Sequence, residues 1–370
     1  MRKVGIMSMQ RIANYGSFLQ AYGLKHILEE LGCDVQFVDY HPGKTIIPSD
    51  EGTGIKRKIN KLLETFKYDA SFIDKIKFIK YKKNYAEKYY PYLGLEGMNY
   101  DPQIDLLVIG SDEVFNCVQN NTNVGFSSDL FGANSNAKKI ITYAASFGNT
   151  TIDKLKKYKI DDIVSSYINK IDTISVRDEN SGSIVRALTG KEPLYNLDPV
   201  LIYDYIGKCK EIPKNVSENK YIILYGYSGR FEKTECDMIK KFAKKKGLKI
   251  FCIGGVQDAC DKFIDCNPFE VIAYFQHADY IVTDTFHGTI ISIISHKKFV
   301  SVIRKNGYGN SEKLVDILKR LKLKSRIIDD LRELEYQMNK PIDYVSVDDV
   351  IRNERKNSYE YLKGVLSDEC

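Results

Sequence analysis

Short apolar runs alternate with amphipathic stretches along almost the whole chain. Residues 3–7 have the continuous apolar character of a buried strand, and Asn14-Tyr15-Gly16-Ser17 makes a tight turn behind it. A helix is predicted over 18–31, with Ala21, Leu24, Leu28 and Leu31 on one face and Gly32 as its stop. Residues 35–40 read as the next strand. Apolar strands recur at 105–110, 140–146 and 173–176, a pattern expected of parallel sheets covered on both faces. A helix starts near 179, and Leu197-Asp198-Pro199-Val200-Leu201 closes this half.

Residues 203–219 are polar and read as a linker, after which the alternation restarts. Strands are predicted at 221–225, 248–253, 280–283 and 299–303, and helices at 232–245, 269–276, from 288 and from 311. Ser346, with Asp349 three residues on, predicts the start of a helix running to about 362. Two strand–helix series imply two Rossmann-like domains with parallel sheets facing a cleft. The expected division is 1–202, a linker at 203–219, a second domain at 220–340 and a C-terminal helix within 341–370.

Charge changes this picture in one place. The net charge is only +6, yet residues 55–90 hold eleven Lys/Arg against four Asp/Glu, a surplus of seven. This stretch reads as an insertion of one or two Lys- and Tyr-rich amphipathic helices, broken near Asp69-Ala70-Ser71. Its stripe of Ile59, Leu62, Leu63, Phe66, Phe72, Ile76 and Ile79 could lie on an anionic membrane or pack on the sheet with its lysines solvated. No nucleic-acid partner is expected. The start of the chain is too polar for a signal peptide and no segment is long and apolar enough to span a bilayer. A cytoplasmic location is therefore expected, with contact at the inner face of the plasma membrane if the basic helices dock there. The eight cysteines form no CxxC pair; reduced, buried thiols and no metal site are expected.

The sharpest chemical feature is Thr285-Phe286-His287-Gly288-Thr289, a turn from a strand into a helix. Ligands of open α/β sheets bind beyond the carboxyl ends of the strands. A helix start there offers unpaired N–H groups and a positive dipole end to a phosphate or carboxylate. Gly288 would admit a close backbone approach, and Thr285 and Thr289 would add hydroxyls. His287 is either an acid/base group or a capping or core histidine. In the first half, Ser111 and Asp112 follow a strand directly, as base or as helix N-cap. Arg177 could clamp an anion bidentately or pair with Asp178 or Glu179. GxGxxG, GxxxxGK[ST], Asp-x-Asp and Gly-x-Ser-x-Gly are all absent, which argues against dinucleotide, P-loop, metal-dependent nucleotide-sugar and serine-hydrolase sites.

Six segments in order together resemble one family. They are Asn14 to Tyr22, Gly110 to Asn116, Tyr143 to Gly148, Ser175 to Asp178, Leu197 to Leu201 and Thr283 to Thr289. Their order and spacing, over roughly residues 1–325, are similar to those of polysaccharide pyruvyl transferases. The resemblance implies a GT-B-like α/β fold and phosphoenolpyruvate as co-substrate, with no further cofactor. It also implies a lipid-linked or nucleotide-linked saccharide as acceptor, and a pyruvate ketal on a cell-surface polysaccharide precursor as product. The resemblance then assigns His287 and Asp112 to catalysis. Asn14, Tyr15, Gly16, Ser17, Ser111 and Ser146 fall on the acceptor side. This chain has Thr285 where many members carry Arg, Lys313 in a segment often ending in Arg, and Phe115 where Trp is common. Donor contacts are therefore expected from Arg177, Arg304 and Lys313, with Thr285, Gly288 and Thr289. The alternatives are a GT-B glycosyltransferase using a nucleotide sugar and a catalytically silent ligand- or membrane-binding homologue.

Overall fold

The computed structural model describes residues 1–47, 64–216, 220–304 and 311–367. Six parallel strands form the first sheet: β1 (Lys3–Met7), β2 (Asp34–Phe37), β3 (Leu106–Asp112), β4 (Lys139–Ala145), β5 (Ser175–Val176) and β6 (Leu194–Tyr195), in the order β2-β1-β3-β4-β5-β6. The second sheet holds β7 (Tyr221–Tyr225), β8 (Lys249–Ile253), β9 (Lys262–Phe263), β10 (Tyr280–Thr283), β11 (Phe299–Val302) and β12 (Ile327–Ile328), in the order β12-β11-β10-β7-β8-β9. Every pairing is parallel, and β3 is buried over its full length, as its unbroken apolar run requires. The strand order reverses between β1 and β3 in the first sheet and between β7 and β10 in the second. A doubly wound sheet leaves a crevice at such points, outside the carboxyl ends of the strands.

Local signals account for the helices around these crevices. Helix α1 (Tyr15–Glu30) begins three residues before the predicted start, because the Asn14 side chain accepts from the Ser17 N–H at 2.7 Å and caps it. Ser71 in the same way caps α2 (Phe72–Tyr89), at the break expected near residues 69–71. The face of α2 that is buried differs from the predicted stripe. Phe72 is exposed, whereas Tyr81, Tyr85 and Tyr89 are buried. The Tyr81 and Tyr85 rings lie 5.3 and 6.0 Å from that of Tyr15, Phe78 packs edge-on against Phe263 of β9, and Tyr89 donates to the Cys266 carbonyl. The tyrosines thus join the two domains through their rings and hydroxyls. Phe66, Phe72 and Ile73 remain exposed beside Lys67 and Lys75, while Ile59, Leu62 and Leu63 lie outside the described residues.

The segment after β6 is also more ordered than its polarity suggests. Pro199–Ile202 forms one helical turn, and Tyr203 and Tyr205 are buried against Tyr22 of α1. Helix α3 (Tyr344–Ser367) starts against the second domain, where Tyr344 donates to the Lys297 carbonyl and Asp348 meets His296 at 2.9 Å, and then runs onto the first domain. There Asn196 donates to Ser358, Tyr361 to the Thr142 carbonyl, Arg355 to the Ile202 carbonyl and Arg2 to the Leu366 carbonyl. Its first turn is capped by Asp343, which accepts from Ser346 N–H and hydroxyl; Ser346 lies inside the helix. Among the described residues, no helix is long and apolar enough to cross a membrane.

Candidate active site

The carboxyl ends of the two sheets face each other across one cavity. Asn14, Tyr15 and Ser17 from the start of α1 and Asp112, Glu113 and Arg177 from the ends of β3 and β5 line its first wall. The opposite wall is made by Tyr225 at the end of β7 with Gly226 and Tyr227 after it, Gly254 after β8, Thr285, Phe286 and His287 after β10, and Lys313. Helix α2 lends Tyr81 and Lys82. Both reversal points of the two sheets therefore open into the same space.

Arg177 organises the first wall. Its Nη1 donates to Asp198 Oδ2 at 2.8 Å and its Nη2 to Asp112 Oδ1 at 3.4 Å. Neither neighbouring acid expected as its partner, Asp178 or Glu179, takes these bonds. Asp178 instead caps the following helix through Ser181, and Glu179 pairs with Arg186. Each carboxylate is held from a further side. The Ser17 hydroxyl donates to Asp112 Oδ2 at 2.7 Å and the Ser111 hydroxyl to Asp198 Oδ2 at 3.0 Å. The Val200 N–H donates to Asp198 Oδ1, so Asp198 also caps the turn that Pro199 begins. Asp112 sits at φ = +74°, a conformation short polar residues tolerate best. Burial alone would push the Asp198 carboxyl up, but the side chains of His287 and Arg177 outweigh it and hold it at about 2. For Arg177 burial opposes the charge, and Asp112 and Asp198 more than offset it, raising the guanidinium above its ordinary value.

His287 enters from the other domain as the second residue of helix α4 (Phe286–Ile294). Its Nε2 lies 3.7 Å from Asp198 Oδ2, beyond hydrogen-bond length, and no closer partner takes that nitrogen among the described residues. The ring lies against the first turn of α1: a Cβ on Gly16 would come within 2.2 Å of its Cγ and Nδ1. Gly16 is therefore what permits this contact. Phe286 packs its ring at 4.6 Å from the Arg177 guanidinium, a second cross-domain contact, of cation–π type. Lys313, in the first turn of the helix Ser311–Arg320, pairs across the cleft with Glu113. Burial would raise the Glu113 carboxyl; the Lys313 charge and hydrogen bond, with Arg177 and Asn116, bring it down to about 2.

The remaining residues singled out from sequence lie in different settings. Thr285 lines the cavity and caps α4, its hydroxyl accepting from the Gly288 N–H at 2.9 Å. Gly288 sits against Thr283 and Tyr225, where a Cβ would meet atoms at 2.2 and 2.6 Å. The Thr289 hydroxyl points inward to the Thr285 carbonyl and Ser301, and Ser146 is buried on Asp178; neither lines the cavity. Ser111 is likewise buried, behind Asp198. Arg304 stands behind the second wall, bonded to Glu235 at 2.5 Å and to the Arg230 carbonyl. Arg230 in turn binds the buried Asp284 at 2.7 Å. The structure adds Asp198, Glu113, Tyr81, Lys82 and Tyr227 to the cluster. Asp198 and Glu113 fall within segments that carry the family resemblance, and the Asp-Pro step at a helix start is a further local signal for Asp198. Among the described residues no three His, Cys, Asp or Glu side chains are grouped to hold a metal ion.

Two parallel-sheet domains with their carboxyl edges opposed over a polar cavity define a GT-B-like α/β protein. A family model described as polysaccharide pyruvyl transferase matches residues 14–306, and the chain belongs to that family. No curated protein matches it. Among solved structures it is similar to the MnaA–UDP co-structure from S. aureus, at 11% identity and a TM-score of 0.50, over 100% of this chain and 99% of that one. It is also similar to a putative UDP-N-acetylglucosamine 2-epimerase from Listeria monocytogenes, at 8% identity and a TM-score of 0.50, over 100% and 97% of the two chains. At such identities the likeness concerns the fold.

Proposed function

We propose that the protein transfers the pyruvyl group of phosphoenolpyruvate to two hydroxyls of one sugar in a lipid-linked or nucleotide-linked saccharide, forming a ketal and releasing phosphate. The observation that carries this reading is the meeting of His287 with Asp112, Arg177 and Lys313 in one cross-domain cavity, with Asp198 buried behind them, in a chain of this family. His287 delivers a proton to C3 of the enol, which makes C2 electrophilic. One hydroxyl adds at C2, the C–O bond to phosphate breaks, and the second hydroxyl adds in its place. The two hydroxyl protons balance the one given to C3 and the one carried off by phosphate. Asp112, on the acceptor side with Asn14 and Ser17, takes a hydroxyl proton.

The donor carries carboxylate and phosphate charges that need cationic partners. Both Arg177 Nη groups already serve Asp112 and Asp198, so its role is to fix those carboxylates while adding positive potential. Direct phosphate contacts fall to Lys313, exchanging Glu113 for the ligand, to Lys82, and to the N–H groups at the start of α4. Arg304 and Thr289 take no direct part. A lipid-linked acceptor would be approached with the exposed Phe66, Phe72 and Ile73 and their neighbouring lysines at an anionic bilayer.

Incubation with phosphoenolpyruvate and candidate saccharides, following phosphate release and the mass increment of a ketal, tests the proposal. Transfer from a nucleotide sugar with no use of phosphoenolpyruvate would replace it with a glycosyltransferase.

A further inference from the structure

We propose that Asp198 is the positioning residue for His287, so that the reactive imidazole is assembled only where the two domains meet. The inference deepens the reading above and rests on it for the role of His287. Three features of the contact support it. Asp198 is wholly buried, yet its two oxygens are held by Arg177, the Ser111 hydroxyl and the Val200 N–H, which fixes the carboxylate in place. A buried carboxylate with its own geometry fully determined is a suitable reference point for a neighbouring ring. His287 Nε2, buried and without a hydrogen bond of its own among the described residues, lies 3.7 Å from that reference. Finally, the opposite restraint on the ring also comes from the first domain, since the Gly16 backbone lies against Cγ and Nδ1.

His287 therefore depends on two first-domain elements for its orientation, although its backbone belongs to the second. Catalytic contacts of this kind are often long without substrate and tighten when it binds. A closure of a few tenths of an ångström would bring Nε2 to hydrogen-bond distance of Asp198 Oδ2. Asp198 does not itself touch the cavity: it is absent from the lining, while Asp112 and Arg177 beside it are present. It acts through the imidazole by fixing ring orientation and the nitrogen that carries the proton.

Two readouts separate this role from a merely structural one. In protein with labelled histidines, the His287 ring signals are assigned by their loss in His287→Ala. Asp198→Asn should move the His287 signals and leave those of His26, His41, His277 and His296 in place. Turnover, measured as phosphate release, should fall by roughly 10²-fold or more with the donor KM within about threefold of wild type, as when the orienting carboxylate of a catalytic histidine is lost. Unchanged His287 signals in folded Asp198→Asn would overturn the inference. The spectrum needs no substrate, so a wild type that ignores phosphoenolpyruvate overturns the proposed function and leaves this test standing. If Asp198→Asn does not fold, Gly16→Ala decides. Its methyl displaces the ring while leaving the carboxylate intact, and the His287 signals and turnover must then change in the same way; wild-type values for both would overturn the proposal.

Discussion

The two walls of the cavity are built on different principles. On the first-domain wall every charged side chain is engaged with another: Arg177 with Asp112 and Asp198, each carboxylate with a serine hydroxyl and a backbone N–H. The second-domain wall offers a helix start, two tyrosines, Lys313 reaching over to Glu113, and a histidine whose Nε2 lacks a hydrogen bond. One wall is a charge template whose two carboxylates are fixed, and the other carries an imidazole whose orientation comes from across the cleft. Removing the template's cation should appear first as lost stability, and removing the histidine opposite as lost rate.

The most severe test of that contrast is His287→Ala. Loss of a general acid–base group costs roughly 10²–10⁴-fold in rate, and the side chain is partly open to the cavity, so melting should stay near wild type. Phosphate-release kinetics beside a thermal melt checks both halves; near-normal turnover would remove His287 from the chemistry. Arg177→Ala should do the reverse. It leaves Asp112 and Asp198 without their cation in a buried setting, a loss of about 3–5 kcal/mol in denaturant unfolding. A loss below about 1 kcal/mol would mean the template is not held by its charges.

A smaller effect follows from the Asp198 carboxyl, held at about 2 in the folded protein against an ordinary value of 3.8. A depressed carboxyl stabilises the fold above its ordinary value, and that contribution is lost as the pH falls from about 4 through about 2. Its size is roughly 2 kcal/mol. Unfolding curves over that range should show this portion of acid sensitivity in wild type and lack it in Asp198→Asn. The weakest expected effect concerns the basic helices. Sedimentation with anionic vesicles should detect binding at low salt that fades at high salt and weakens by about 1 kcal/mol per lysine when Lys80 and Lys83 are neutralised. Absence of binding at low salt would leave those lysines as solvated charges.

The alternation of strands and helices was readable from sequence because it rests on local periodicity. Each cleft-facing helix start also had a local signal, Asn14 and Thr285 as caps. The Arg177 network was not readable: its partners lie 65 residues before and 21 after it, and only the parallel order of β3, β4 and β5 brings those strand ends together. The α2 face was misjudged for a related reason. Phe72 and Ile76 outrank tyrosine in hydrophobicity, but Tyr81 and Tyr85 can bury rings and still satisfy their hydroxyls, as Tyr85 does on the Asn14 carbonyl. Two-residue edge strands such as β6, β9 and β12 are too short to carry a period.

The return of α3 to the first domain makes that domain discontinuous along the chain, and this has a consequence for synthesis. Roughly 150 residues separate β6 from α3, on the order of ten seconds of translation at ~5–20 residues per second. During that interval the first sheet emerges with Asn196, Thr142 and Arg2 lacking the groups that later bind them. The second domain can meanwhile complete its own sheet. The nascent first domain therefore waits for a helix encoded after its neighbour, and ribosome-bound intermediates should resist proteases first in the second-domain half.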